Sequence, residues 1–370
     1  MRVAPLLVLG AMAVFTLSQM PASRVRAASE AIGRSIANLE VQGWRWFNDD
    51  PPRRAELDRL AAEIGRGLAA AQSWVFGAVG GFSGHLHTIA GVQMQIDGAA
   101  ADKQAIVRLA GGISIPQIQR TLGMTFHGPI AVSLLQDKSA YDKALMSLGA
   151  TGSQAGVMVD RTSGVEAGDS VYLPLFNDGG KYMLANVLTH ELTHVLFYQN
   201  NLSNTLPTWL NEGTAWYEGL TAERSLSRLS ADHQLEVGLQ GVGVASSSGT
   251  ALSLQATEAQ LLRAPYDVEI QDYEAVSLLV ALHGVKHYAA FLREVRRTSV
   301  PTAFRRAYGM SLSAFVGRFA DYLRAVTFSM ENAPMSARAL SPFISAFLPQ
   351  MRGTAASGRM DSFSRPHAAI

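Results

Sequence analysis

Five consecutive residues, His190-Glu191-Leu192-Thr193-His194, form the most informative motif of this chain. Apolar residues at helical spacing surround the motif from Met183 to Tyr198, which predicts a buried helix. Residues four apart lie on one face of a helix, so His190 and His194 can direct two imidazole rings at one point. Imidazole is a common zinc ligand, and Glu191 is placed to accept a proton from a water beside the metal.

A core helix that carries these three residues by chance is the alternative interpretation. Three titratable side chains in an otherwise apolar helix are costly to bury without partners. A metal ion would supply that partner, so the motif favours a metal site.

The segment Leu206–Glu218 predicts a second helix, which begins near Pro207 after a polar loop. A helix–loop–helix pair can bring a carboxylate back to the metal, and Glu212 is the first acidic residue after His194. Glu212 could instead be a solvated helix residue. Glu218 is a second candidate ligand, although a surface position or a role in orienting a histidine is favoured for it.

The two motifs together, His190-Glu191-x-x-His194 and Trp209-Leu210-Asn211-Glu212-Gly213-x-Ala215-x-Tyr217, resemble the gluzincin metallopeptidases. The resemblance is strongest to the aminopeptidase-N-like branch and to the bacterial peptidase MA relatives. It implies an α+β zincin (thermolysin-like) fold, with a small mixed sheet and the active-site helix in an N-terminal lobe and a helical C-terminal lobe. It also implies that Glu212 is the third zinc ligand.

Upstream of the motif, the sequence predicts helical pieces in residues 99–122 that are broken at Gly111-Gly112, and a short helix from Tyr141 to Leu148. The predicted strands are 130–135, 156–159 and 171–175.

Pro174 confines the last predicted strand to a sheet edge. In zincins an edge strand above the zinc pairs with extended substrate. The resemblance therefore implies that main-chain groups near Val171 and Leu173 bind substrate.

A tyrosine of the C-terminal lobe donates a hydrogen bond to the oxyanion in aminopeptidase-N-like gluzincins. Tyr273, which opens a small apolar helix after a polar linker, resembles that residue. Tyr266 is the close competitor, and Tyr273 could instead be a core aromatic whose hydroxyl is satisfied elsewhere. The Met330-Glu331-Asn332 triplet matches part of the substrate-amine motif of those enzymes, but it follows the zinc motif instead of preceding it.

The composition describes a globular chain of 370 residues with 48% apolar residues, 16% charged residues and a formal net charge of +1. This near-neutral balance gives no support to a nucleic-acid partner. The chain contains no cysteine, which excludes disulfides, catalytic thiols and thiolate zinc ligands. A bound zinc ion must therefore be held by nitrogen and oxygen atoms.

The first residues predict export. Met1-Arg2 is followed by an apolar run from Val3 to Leu17 and by small residues up to Ala28, the order of a secretory signal peptide. The expected localisation is secreted or periplasmic. An uncleaved anchor is the alternative, and only then would the protein lie at a membrane.

Four regions are expected: a signal peptide in 1–28, a helical and hairpin region in 29–114, a gluzincin catalytic domain in 115–329 and a disordered tail in 330–370. The expected function is zinc-dependent hydrolysis of a peptide or protein substrate. Two alternatives stay open, a non-catalytic binding or assembly protein on the same scaffold and a zinc hydrolase of a non-peptide amide. The oligomeric state is not predicted.

Overall fold

A computed structural model describes residues 85–99, 101–177, 181–256, 258–261 and 263–332. All of these residues belong to one compact unit, Gly84–Ile370. The predicted signal peptide, most of the region 29–114 and nearly all of the predicted tail lie outside the described residues.

The described part of the chain is a helix-rich α+β structure with one mixed five-stranded sheet. The strand bounds are His85–Ile89 (β1), Val92–Asp97 (β2), Ile130–Leu135 (β3), Val165–Ala167 (β4) and Ser170–Pro174 (β5). The strands run in the order β1-β2-β3-β5-β4, in which the inner pairs β2–β3 and β3–β5 are parallel and the outer pairs β1–β2 and β4–β5 are antiparallel.

Within the described residues, helices lie between the strands and after them along the chain. Their bounds are Ala101–Leu122 (α1), Lys138–Ser147 (α2), Gly152–Arg161 (α3), Lys181–Gln199 (α4), Thr208–Leu226 (α5), Arg228–Ser247 (α6), Glu258–Leu261 (α7), Val268–His283 (α8), Val285–Val295 (α9), Val300–Tyr308 (α10) and Leu312–Asn332 (α11), with a 3-10 turn at Leu175–Asn177.

Helix α1 is continuous, so the predicted break at Gly111-Gly112 is wrong. Gly111 is buried where α1 packs on the β1–β2 hairpin, and α1 also packs on α4. This packing outweighs the weak helix propensity of glycine, about 1 kcal/mol relative to alanine. The expected start of the catalytic domain at residue 115 falls inside α1. The first two strands of the sheet, β1 and β2, come before that residue.

The strands predicted at 130–135 and 171–175 are confirmed by β3 and β5, but residues 156–159 are helical. Thr151 and Gln154 form a capping box that starts α3, and Ala155 and Val159 then lie on one helix face against α2. The capping box at Thr151 therefore determines that residues 156–159 are helical, although their short apolar run predicted a strand.

Strand β5 is not an edge strand at Val171, which corrects the expected edge there, whereas Leu173 and Pro174 lie beyond the residues that pair with β4. It pairs with β3 on one side and with β4 on the other, and Val171 is opposite both Val132 and Glu166. The side chains of Val171 and Leu173 are buried in the core. The open edge on this side of the sheet belongs to β4, which lies beside α4.

Helix α5 packs between α4 and α8, and this arrangement positions the residues of both sequence motifs. The close approach of α5 to α8 depends on Gly213, where an added Cβ would lie 2.3 Å from the carbonyl oxygen of Asp272. The helix predicted around the first motif is confirmed by α4, and the helix predicted for the second motif is confirmed by α5.

Among the described helices, none is by itself both long and apolar enough to cross a membrane. The pair α8 and α9 passes that test jointly, with a bend of 111° between them.

Candidate metal centre

Helices α4 and α5 bring two histidines and one glutamate together. The Nε2 atoms of His190 and His194 are 3.0 Å apart, and they lie 3.3 and 3.2 Å from Oε2 of Glu212. Within the described residues, these three form the one group of histidine and acidic side chains close enough to hold a metal ion. The structure therefore brings together the three predicted ligands.

The spacing of these donor atoms suits a metal ion. Four ligands at about 2.0–2.1 Å from a tetrahedral ion lie about 3.3–3.4 Å from one another. The observed triangle has edges of 3.0, 3.2 and 3.3 Å, so one ion could contact all three atoms with little movement. Three protein ligands leave one tetrahedral position for another molecule.

The side chains of His190, His194 and Glu212, called the triad below, attract one another electrostatically. Burial raises the pKa of Glu212, but the facing His194 and His190 outweigh it and hold that pKa well below its usual range. Burial lowers the pKa of His194, but Glu212 and then Glu191 raise it to about 10. A dication can replace these protons as the partner of the carboxylate.

Asn211 orients one of the ligands, a role that sequence reasoning missed. Its side-chain oxygen lies 3.1 Å from Nδ1 of His194, the distance of a hydrogen bond in which Nδ1–H donates. That bond leaves the Nε2 lone pair of His194 free to face the metal position. The signal was present, because Asn211 directly precedes Glu212 in the second motif.

Glu191 lies beside the triad and not within it. The carboxylate accepts a hydrogen bond from the main-chain N–H of Glu166 on β4. Gly164, just before β4, allows this close approach, because an added Cβ would lie 2.7 Å from Oε1 of Glu191. Burial raises the pKa of Glu191 and the two histidines lower it, with a net increase. The edge of the sheet thus holds the carboxylate near the metal position.

The Glu166 side chain is a second carboxyl close to the centre. Burial raises its pKa to about 7, whereas the nearby His194 lowers it and Glu191 raises it further. A single glutamate on a three-residue strand gives no sequence signal, and its place depends on the pairing of β4 with β5.

The first turns of α8 add further acidic side chains near the centre. Burial and then the charge of Glu212 raise the pKa of Glu269 to about 7, and the same two causes raise the pKa of Asp272 well above its usual range. Trp216 donates its ring N–H to Glu269, and its ring lies edge-on to His190 at 5.9 Å. Sequence reasoning did not assign Glu269 or Asp272 to the site, because the packing of α8 on α5 is not visible in the sequence.

The two candidate tyrosines have other partners. The Tyr273 ring is 6% exposed and stacks on Tyr217, and its hydroxyl lies beside Arg224 and Ser277. Tyr266 accepts a hydrogen bond from the main-chain N–H of Leu252 and donates one to Gln271. Both hydroxyls bond to other groups in this structure, and the oxyanion role of Tyr273 or of Tyr266 stays a prediction.

Glu218 is also separated from the triad. It is fully buried and accepts a hydrogen bond of 2.9 Å from the side chain of Gln117 on α1. Burial raises its pKa to about 7. The residue therefore joins α5 to α1, and it neither ligates the metal position nor orients a histidine.

Comparison with known proteins finds no family model that matches this chain, and no curated protein with significant sequence similarity to it. The fold and the site therefore define only a broad class, a helix-rich α+β protein whose His190, His194 and Glu212 could hold a metal ion.

Proposed function

We propose that this chain is a zinc-dependent peptidase with a zincin fold. One observation carries the proposal: the triangle of His190, His194 and Glu212 has Glu191 fixed at its side, close to the metal position and outside the ligand set. The edge strand β4 beside α4 and the helical chain that follows support a zincin architecture.

Zinc is the proposed metal because of the donor set. Two imidazole nitrogens and one carboxylate oxygen, with one open position, are typical of catalytic zinc. When bound, zinc supplies a Lewis acid for water and for a carbonyl oxygen.

The protein's own residues would move the proton. Glu191 accepts a proton from the attacking water and passes it to the leaving amine. Burial raises its pKa, which makes its protonated form accessible between the two transfers. Asn211 keeps His194 in one orientation throughout.

The outer edge of β4 lies beside the triad. Within the described residues β4 pairs only with β5, and on its other side the main-chain N–H of Glu166 donates to Glu191. The main-chain groups that flank Glu166 on this edge are the proposed place for an extended substrate main chain.

A peptide-library digest tests this proposal. The zinc-loaded wild type should cleave members of a proteome-derived library, and Glu191→Gln should retain zinc but lose nearly all turnover. Glu236→Gln on α6, outside the centre, is the matched control and should cleave like the wild type. Zinc-loaded protein that cleaves no library member would remove the peptidase proposal, as would Glu191→Gln that cleaves at the wild-type rate.

A further inference from the structure

A cavity of about 550 Å³ lies next to the metal centre, between α4, α5, α6 and α8. Trp216 lies between the two, because it forms part of the cavity wall and its ring lies edge-on to His190 at 5.9 Å. Asp267, the N-cap of α8, lines the cavity and lies close enough to His190 for their charges to interact. A substrate bound at the triad could therefore extend a side chain into this space.

Most of the cavity wall is apolar. Met183, Trp216 and Ile270 contribute large apolar side chains from three different helices. Val237 on α6 also lines the cavity and is 55% exposed, so it lies where the cavity meets solvent. Walls of this kind pack well against a long aliphatic chain.

Two carboxyl groups and one imidazole line the cavity. They belong to Glu223, Asp267 and His233, and none of the described lining residues is a lysine or an arginine. Glu223 is 1% exposed and its two oxygens accept hydrogen bonds of 2.8 Å from Asn186 and 2.5 Å from Ser230. These bonds fix the carboxylate and leave further lone pairs free.

The nearest arginines along the chain do not neutralise Glu223. Arg224 and Arg228 both pair with Asp232, at 3.1 and 3.3 Å. A buried carboxylate without a cationic partner is unfavourable, and a cation that enters the cavity would relieve that cost.

We propose that this cavity is a specificity pocket for a lysine or arginine side chain of the substrate. The apolar walls hold the aliphatic stem, and Glu223 and Asp267 bind the ammonium or guanidinium head. The inference rests on the proposed function in one respect, that the ligand at the triad is a peptide.

Two alanine-based nonapeptides test the charge preference, one with a central arginine and one with citrulline, which keeps the shape and removes the charge. The zinc-loaded wild type should cleave the arginine peptide with a kcat/KM at least about tenfold higher, the size of one hydrogen bond to a charged group. The zinc-loaded Glu191→Gln variant should bind the arginine peptide tighter by a similar factor, measured by fluorescence anisotropy. Equal treatment of both peptides would overturn the inference.

A matched pair of surface variants tests the place of binding. Val237→Lys puts an ammonium group at the cavity mouth and should abolish the preference for arginine. Val244→Lys, two turns further along α6 and 68% exposed, lies outside the cavity lining and should leave the preference intact. Both replaced side chains are exposed, so neither change should prevent folding. If Val237→Lys still prefers the arginine peptide, the preference arises outside this cavity and the inference is wrong.

The two readouts separate this inference from the proposed function. Cleavage of both peptides at equal rates would leave the peptidase proposal standing and reject the pocket. Tighter binding of the arginine peptide without cleavage of either would reject the peptidase proposal and retain the pocket.

Discussion

At the scale of single residues, the centre depends on contacts made by side chains that are not ligands. Asn211 sets the direction of His194, and the main chain of Glu166 holds Glu191 at the edge of the triad. Partners of this kind fix the orientation of ligands and bases, so their loss lowers the metal affinity or the activity.

Asn211→Ala should weaken zinc binding by about 10–100-fold, because His194 loses the acceptor that fixes its ring. Competition with a chromophoric chelator would measure the affinity. Asn204→Ala, an exposed position in the loop before α5, is the matched control and should bind zinc like the wild type. Unchanged affinity in Asn211→Ala would remove the orienting role.

Zinc-free protein should lose stability as the pH rises from 7 to 10. The pKa of His194 in the folded chain is about 10, above its unfolded value of about 6.5, so folding favours the protonated ring. This stabilisation is fully present below about pH 6.5 and is lost as the pH passes through 10. The Tm of the zinc-free wild type should therefore fall more steeply than that of Glu212→Gln, which lacks the facing carboxylate. Parallel declines would contradict this explanation.

At the scale of elements, three helices and one short strand fix the centre. Helix α4 supplies the histidines, α5 supplies Glu212, α8 lies against α5, and β4 closes the side where Glu191 lies. The separation of α5 and α8 is small at Gly213, which makes this glycine a structural requirement of the second motif.

Gly213→Ala should destabilise the protein by about 1–3 kcal/mol, because the new methyl group would meet the main chain of α8. Gly317→Ala on α11 is the control: that glycine is helical and exposed with nothing near its Cβ position, so alanine should stabilise by about 0.5–1 kcal/mol. Urea unfolding measures both. Equal effects would mean that α5 can move away from α8 without loss.

Sequence reasoning succeeded where the information was local. His190, His194 and Glu212 were predicted to meet because helical spacing and a short loop bring them together, and the structure does so. It failed where contacts between segments that are distant in the sequence determine the structure. The pairing of β4 beside β5 removed the expected edge at Val171, and the face on which α8 carries Tyr273 follows from its packing on α5.

At the scale of the whole molecule, acidic side chains from several elements lie near the triad. Glu166 of β4, Glu191 of α4 and Glu269 of α8 all interact with its histidines. The cavity beside Trp216 adds Glu223 and Asp267. A dication at the triad would offset part of this negative charge, which agrees with a metal as a component of the folded protein.

The zinc content of protein purified without chelator tests the central claim most directly. Elemental analysis by mass spectrometry should find one zinc per chain in the wild type and almost none in folded His194→Ala. A folded wild type that contains no zinc and takes up none from solution would contradict the account.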